Sequence, residues 1–135
     1  MSEIVVLDSS VLVDDLRTGR YNDRIRTIDG ILRNCSIVLA ELWRGARSSE
    51  DREVLKALEQ NHPILTPTTN NWLESGQLLS KIHADKGFEP HKLRDLHFDV
   101  LIALTVRTHG ALLITSNRAD FELIREYRDF NLEVW

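Results

Sequence analysis

Two short apolar runs in this chain each stop abruptly at a polar turn, and that pattern narrows the fold more than any other feature. Ile4-Val5-Val6-Leu7 ends in Asp8-Ser9-Ser10, and Leu113-Ile114-Thr115 runs into Ser116-Asn117. Apolar runs of this length, rich in β-branched residues and bounded by turn signals, read as strands buried within a sheet. Helical patterns fill most of the sequence between them. Helices are expected over 11–17, closed by Gly19, and from Asn22 or Asp23 onward, with Ile25, Ile28, Ile31 and Leu32 on one face. An extended stretch around Cys35-Ser36 precedes helices over 38–46 and 49–60, and prolines bound an edge-strand candidate over 63–67. A helix over 69–86 stops at Gly87, and residues 88–96 read as a loop. An apolar helix over 98–109, a strand over 111–115, a short helix over 120–127 and a strand over 132–134 complete the chain. Strands alternating with helices predict an α/β fold, a mostly parallel sheet with helices on both faces.

At 135 residues the chain makes one domain, 1–135, able to bury about two-thirds of its unfolded surface. Its 42% apolar and 28% charged residues are those of an ordinary globular protein. A single cysteine, Cys35, excludes an internal disulfide and a Cys-rich zinc module, and fits a reducing cytoplasm. The longest purely apolar run, 100–104, is five residues, too short for a membrane helix. Met1-Ser2-Glu3 is acidic and enters a strand at once, unlike a signal peptide.

The formal charge of −4 argues against a general polyanion-binding coat, but not against a nucleic acid met through metal ions. Charge is also uneven. Between positions 16 and 47 seven arginines stand against Asp23, Asp29 and Glu41. Such a stretch reads either as a solvated helical face or as a surface for a phosphate backbone or an acidic partner.

Three carboxylates stand where apolar neighbours make them hard to ignore. Asp8 lies at the carboxyl end of the first strand, where open α/β sheets bind ligands; its structural alternative is a helix N-cap worth about 1 kcal/mol. Glu41 interrupts Ile37-Val38-Leu39-Ala40 and Leu42-Trp43, so it needs Arg44 or Arg47, a raised pKa or a cation. Asp99 is expected to open the apolar helix, either as an acid suited to the helix dipole or as a carboxylate held at the sheet rim. Asp95, one turn earlier, shares that face or is solvated. Asn117 and Asp120 are candidate fourth ligands with Thr115 as a supporting hydroxyl, or plain turn residues. Acids gathered at one rim repel one another without a cation, and a hard divalent ion on oxygen ligands can hydrolyse phosphodiesters through activated water.

Other constellations fit poorly. The five histidines show no HExxH spacing, Cys35 belongs to no CxxC, and no glycine-rich phosphate loop is present. His97 reads as a packed residue, and Trp43, Trp72 and Trp135 as core or interface aromatics.

Taken in order, four segments resemble the motifs of the PIN domain. They are Ile4-Val5-Val6-Leu7-Asp8-Ser9-Ser10-Val11-Leu12, Ala40-Glu41-Leu42-Trp43-Arg44-Gly45-Ala46, Asp99-Val100-Leu101-Ile102-Ala103 and Thr115-Ser116-Asn117-Arg118-Ala119-Asp120-Phe121. Order, spacing and length are similar to the VapC-type toxins of toxin–antitoxin pairs. The resemblance implies a three-layer α/β/α sandwich and a magnesium- or manganese-dependent endoribonuclease. It also implies a homodimer held inactive by a VapB-type antitoxin inserted into the active-site groove. On that resemblance Asp8, Glu41 and Asp99 hold the metal, Asn117 stands where many members have a fourth aspartate, and Ser9, Thr115 and Asp120 support the site. Arg44 or Arg94 would contact phosphate. The asparagine at 117 leaves a second reading open, a non-catalytic PIN-like module that binds RNA or protein.

Overall fold

The computed structural model describes residues 3–135; Met1 and Ser2, on which the expectation of no signal peptide partly rests, lie outside the described residues. Five strands form one sheet in the order β3-β2-β1-β4-β5, every pair parallel. The strands are β1 (Ile4–Leu7), β2 (Ile31–Cys35), β3 (Ile64–Leu65), β4 (Leu112–Thr115) and β5 (Asn131–Val134). The helices are α1 (Ser9–Thr18), α2 (Asn22–Arg26), α3 (Ser36–Gly45), α4 (Ser49–Asn61), α5 (Thr69–Lys86), α6 (Pro90–Thr108) and α7 (Arg118–Tyr127). The chain builds outward from β1 through β2 to β3, then returns to place β4 on the other side of β1. The β1/β4 boundary is therefore the topological switch point, where the carboxyl ends of the strands leave a crevice.

Period-two alternation divides the core into two layers. Val6, Cys35 and Leu113 face the larger one, filled by Ile37 and Leu42 of α3, Leu78 and Ile82 of α5, the apolar half of α6, and Phe121 and Ile124 of α7. Val5, Leu7 and Ile114 face the smaller layer with Val11 of α1 and Tyr21, against which Ile25, Ile28 and Trp135 pack. The three-layer α/β/α sandwich follows from strands apolar on both faces. Cys35 is buried in the core.

Two expectations need correction. The helix begun at Asn22 ends at Arg26, and Ile31 and Leu32, placed by their spacing on its face, belong to β2. Gly30 explains the break: a Cβ there would lie 2.7 Å from the Glu3 carbonyl oxygen and 2.8 Å from Val5 Cγ2. Only glycine lets the backbone come this close as β2 enters beside β1, where the Ile31 amide donates to Glu3 O at 2.8 Å. The stretch 88–96 is not a loop. Only 88 and 89 stay outside a helix, and 90–96 are the first third of α6, which starts with Pro90 in its first turn, where the missing N–H costs nothing. Its polar residues hide a narrow stripe in which Leu96 is buried and Leu93 half-buried. Asp99 therefore sits deep inside a long helix instead of opening one.

Gly30→Ala is expected to destabilise the fold by about 1–3 kcal/mol in urea denaturation. Gly76→Ala, in open space on α5, should stabilise it by about 0.5–1 kcal/mol. Equal effects would contradict the close-approach account.

Candidate active site at the sheet switch point

A cleft of about 470 Å³ opens at the carboxyl end of β1, lined by Asp8, Glu41, Asp99 and Asn117 together with Ser9 and Arg44. Ser10, Val13, Asp14, Arg17, Asp95 and Phe98 complete its wall. Three helices, α1, α3 and α6, and the ends of β1 and β4 bring these residues together from across the chain. Of the sequence-derived candidates, Thr115 and Asp120 stand behind this wall, and Arg94 is exposed and outside it.

Asp8 anchors the arrangement. Its backbone amide donates to Ile114 O at 2.9 Å, tying the end of β1 to β4, and its carbonyl accepts from Val11 and Leu12. Asp8 occupies the N-cap position of α1, yet its side chain caps no backbone amide. The carboxylate points instead into a hydroxyl pair: Ser10 Oγ and Thr115 Oγ1 each donate to Oδ2 at 2.8 Å. Both hydroxyls are fixed in turn, because Ser10 Oγ accepts from the Ser116 amide and Thr115 Oγ1 from the Asn117 amide. The other oxygen, Oδ1, is buried with no hydrogen-bond partner among the described residues. Asp8 is 3% exposed, so this is a desolvated carboxylate oxygen left bare, a costly arrangement unless something positive meets it.

Its neighbours add negative charge. Glu41, half-buried on α3, accepts from Ser9 Oγ at 3.2 Å. Burial and the Asp8 charge raise its pKa, against the hydrogen bond from Ser9 and the charge of Arg44. The ion pair with Arg44 or Arg47 that would make Glu41 purely structural does not form among the described residues. Asp99, on the inner side of α6, is pushed up to about 8 by burial first, then by the charges of Asp8, Asp120 and Glu41. Asp120 goes the other way: burial acts to raise it, but hydrogen bonds from Lys92 and Asn117 prevail and hold it low. Lys92 Nζ lies 2.8 Å from Asp120 Oδ1, and Asn117 Nδ2 donates to Oδ2 at 3.2 Å. Asn117 thus links the cleft to an ionised Asp120 behind it.

Sequence reasoning missed Ser10, Lys92 and Phe98. Ser10 was legible as the second hydroxyl of Asp8-Ser9-Ser10. Lys92 was hidden by reading 88–96 as a loop, since only a continuous helix places it relative to Asp99, whereas Phe98 fell inside the expected helix over 98–109 and carried no signal of its own. His97 turns away from the acids: its Nε2 lies 2.9 Å from Ser75 Oγ, and its ring meets Trp72 edge-on.

The donors on this wall are carboxylate, hydroxyl and amide oxygens, the set a hard divalent cation takes. The bare Asp8 Oδ1 and the mutual repulsion of the acids fit such an ion. Among the described residues, however, no three His, Cys, Asp or Glu side chains form a ready-made metal cage. The acids share a cleft without closing around a point.

A PIN domain family model matches residues 5–127. The chain belongs to the PIN domain family. Solved structures similar to this PIN domain include VapBC2 from Rickettsia felis bound to a DNA fragment from its promoter, with TM-score 0.73 and 22% identity over 98% of each chain. DNA-bound VapBC from Salmonella typhimurium has TM-score 0.68 and 22% identity, covering 100% of this chain and 99% of that one. VapBC-1 from nontypeable Haemophilus influenzae has TM-score 0.72 and 20% identity over 98% of each. A comparison with curated proteins finds no match. The all-parallel order 3-2-1-4-5 of this PIN domain agrees with the sandwich expected from its sequence.

The raised pKa of Asp99 has a defined sign. The folded chain holds a proton on Asp99 that the unfolded chain loses near pH 4, so stability falls as pH rises from about 4 through 8. In metal-free buffer with EDTA, Asp99→Asn should leave stability at pH 4 little changed and raise it at pH 8 by on the order of a few kcal/mol. Chemical denaturation across that range measures it; a pH-independent difference would contradict the assignment.

Proposed function

We propose that this PIN domain is a VapC-type toxin, a cytoplasmic, divalent-metal-dependent endoribonuclease. The observation that carries the reading is the buried, unpartnered Asp8 Oδ1 in a cleft shared with Glu41, Asp99 and Asn117. In this reading Asp8, Glu41 and Asp99 hold the cation, magnesium or manganese, and Asn117 orients a ligand through its tie to Asp120. When bound, the cation supplies a nucleophilic water at neutral pH and neutralises charge building on phosphorus. Ser10 and Thr115 hold the Asp8 carboxylate through Oδ2 and leave Oδ1 for the cation, and Ser9 holds Glu41 through Oε1. Ionised Asp120, held by Lys92, keeps the Asn117 amide oriented. Arg44, exposed on the cleft wall, meets a phosphate of the RNA; Arg94 lies farther out and contributes less.

The same reading includes a VapB-type antitoxin and a homodimer. A groove of about 310 Å³ between α1, α3 and α4 adjoins the cleft and shares Arg17 and Glu41 with it. Its apolar wall, with Leu16 and Val54 exposed, suits an inserted antitoxin segment. Trp72 and Leu73, exposed on α5, offer apolar surface to a second copy. One observation favours the other reading, a non-catalytic binding module: the acids do not form a closed cage among the described residues.

Cleavage of RNA by the purified chain decides between them. Cleavage in magnesium or manganese should stop in EDTA and fall by at least about 100-fold in Asp8→Asn, with the fold intact by circular dichroism. Full activity in Asp8→Asn, or cleavage indifferent to EDTA, would overturn the assignment. No cleavage with either metal would favour the binding module.

A further inference from the structure

The cleft carries an aromatic ring that the chemistry of the acids does not use. Phe98 is 37% exposed and lines the same wall as Asp99, the residue next to it on α6. Large apolar side chains ordinarily leave such a polar, acid-lined surface. The Arg44 guanidinium stands over the Phe98 ring, 5.7 Å from its centroid. Arg17 lines the cleft as well, and neither arginine is ion-paired among the described residues, although Asp14, Asp95, Asp99 and Glu41 share the wall. A half-exposed ring with a guanidinium over it and a second guanidinium on the same wall, neither held by a carboxylate, combines the aromatic surface and the cations on which single-stranded nucleic acid binds. The ring takes a base, whatever its identity, and the cations take the flanking phosphates. Bases in a duplex are stacked on one another and cannot present a face to a side chain without unpairing.

We infer that Phe98 is a base-stacking platform and that Arg17 joins Arg44 in holding the adjoining phosphates, so that one nucleotide is seated against this ring. The inference rests on the nuclease reading for its substrate class, but it concerns binding and is tested apart from cleavage. Phe98 is a positioning residue. It seats the nucleotide beside the acids and takes no part in bond breaking.

The probe is an eight-nucleotide single-stranded RNA carrying one 2-aminopurine, titrated into the full chain in EDTA and again in calcium. Stacking on Phe98 quenches the fluorophore. Phe98→Leu should weaken binding by about 5- to 100-fold and abolish the quench, while Phe98→Tyr restores both. Arg44→Gln should flatten the dependence of log affinity on log salt by about 0.7, one phosphate contact on a single strand. The same sequence as a duplex should bind more weakly than the single strand. Unchanged affinity and quench in Phe98→Leu, equal binding of duplex and single strand, or no quench with the unaltered chain in either buffer would each overturn the proposal. A chain that quenches the probe but never cleaves RNA would sink the nuclease reading and leave the platform standing. A chain that cleaves with unchanged kcat and KM in Phe98→Leu would do the reverse.

Discussion

One carboxylate oxygen, Asp8 Oδ1, sets the character of this molecule, because it is buried at the end of the central strand and no group among the described residues donates to it. Its partner oxygen is saturated by Ser10 and Thr115, so the side chain cannot rotate to relieve the bare atom without giving up two hydrogen bonds. The surroundings deepen the deficit, since Glu41 and Asp99 crowd two more carboxyl groups into the same cleft. Without a cation, Asp99 relieves the strain by keeping its proton to about pH 8. A proton on Asp99 and a cation in the cleft answer the same electrostatic demand, so each opposes the other.

The fold makes that arrangement rigid. β1 lies between β2 and β4, buried on both faces, so the direction in which Asp8 leaves the strand is fixed by packing on every side. α6 is the second fixed element. Its first turns reach the cleft with Asp95, Phe98 and Asp99, and its next residues, Val100 through Val106, are buried almost without interruption. One helix thus belongs to the core at one end and to the site at the other, and its 19 residues, about 28 Å long, carry the register between them. The Lys92–Asp120 pair ties the start of α6 to α7 behind the cleft.

Much of this was legible in the residues. Ile4–Leu7 and Leu112–Thr115 announced themselves as buried strands because runs of apolar residues ending in hydroxyl and acid side chains leave few alternatives. Glu41 stood out because a charge inside an apolar helix must be explained. The start of α6 was obscured because Pro90 serves equally as a breaker and as a first-turn residue, and the polar turns after it show little period. Ile31 and Leu32 misled for a different reason. Their spacing from Ile25 and Ile28 satisfies a helix, whereas the break at Gly30 comes from a backbone approach made by Glu3 and Val5, far away in the chain. Of the hydroxyl pair around Asp8, Thr115 was expected as a supporting residue at the end of the second buried strand and Ser10 was not, and the two meet because β4 lies beside β1. The partnership of Phe98 with Arg44 joins α6 to α3 and could not be read from either segment alone.

The desolvated Asp8 carboxylate and its acidic neighbours make, in this reading, a cation site. Titration of Mn2+ into the full chain at pH 7.5, followed by electron paramagnetic resonance of the free ion, tests it without reference to any substrate. Saturable loss of the free-ion signal is expected with the unaltered chain, with competition by Mg2+ and loss of this binding in folded Asp8→Asn. A free-ion signal that grows in proportion to added Mn2+ from the first addition, or binding that Asp8→Asn leaves intact, would contradict it.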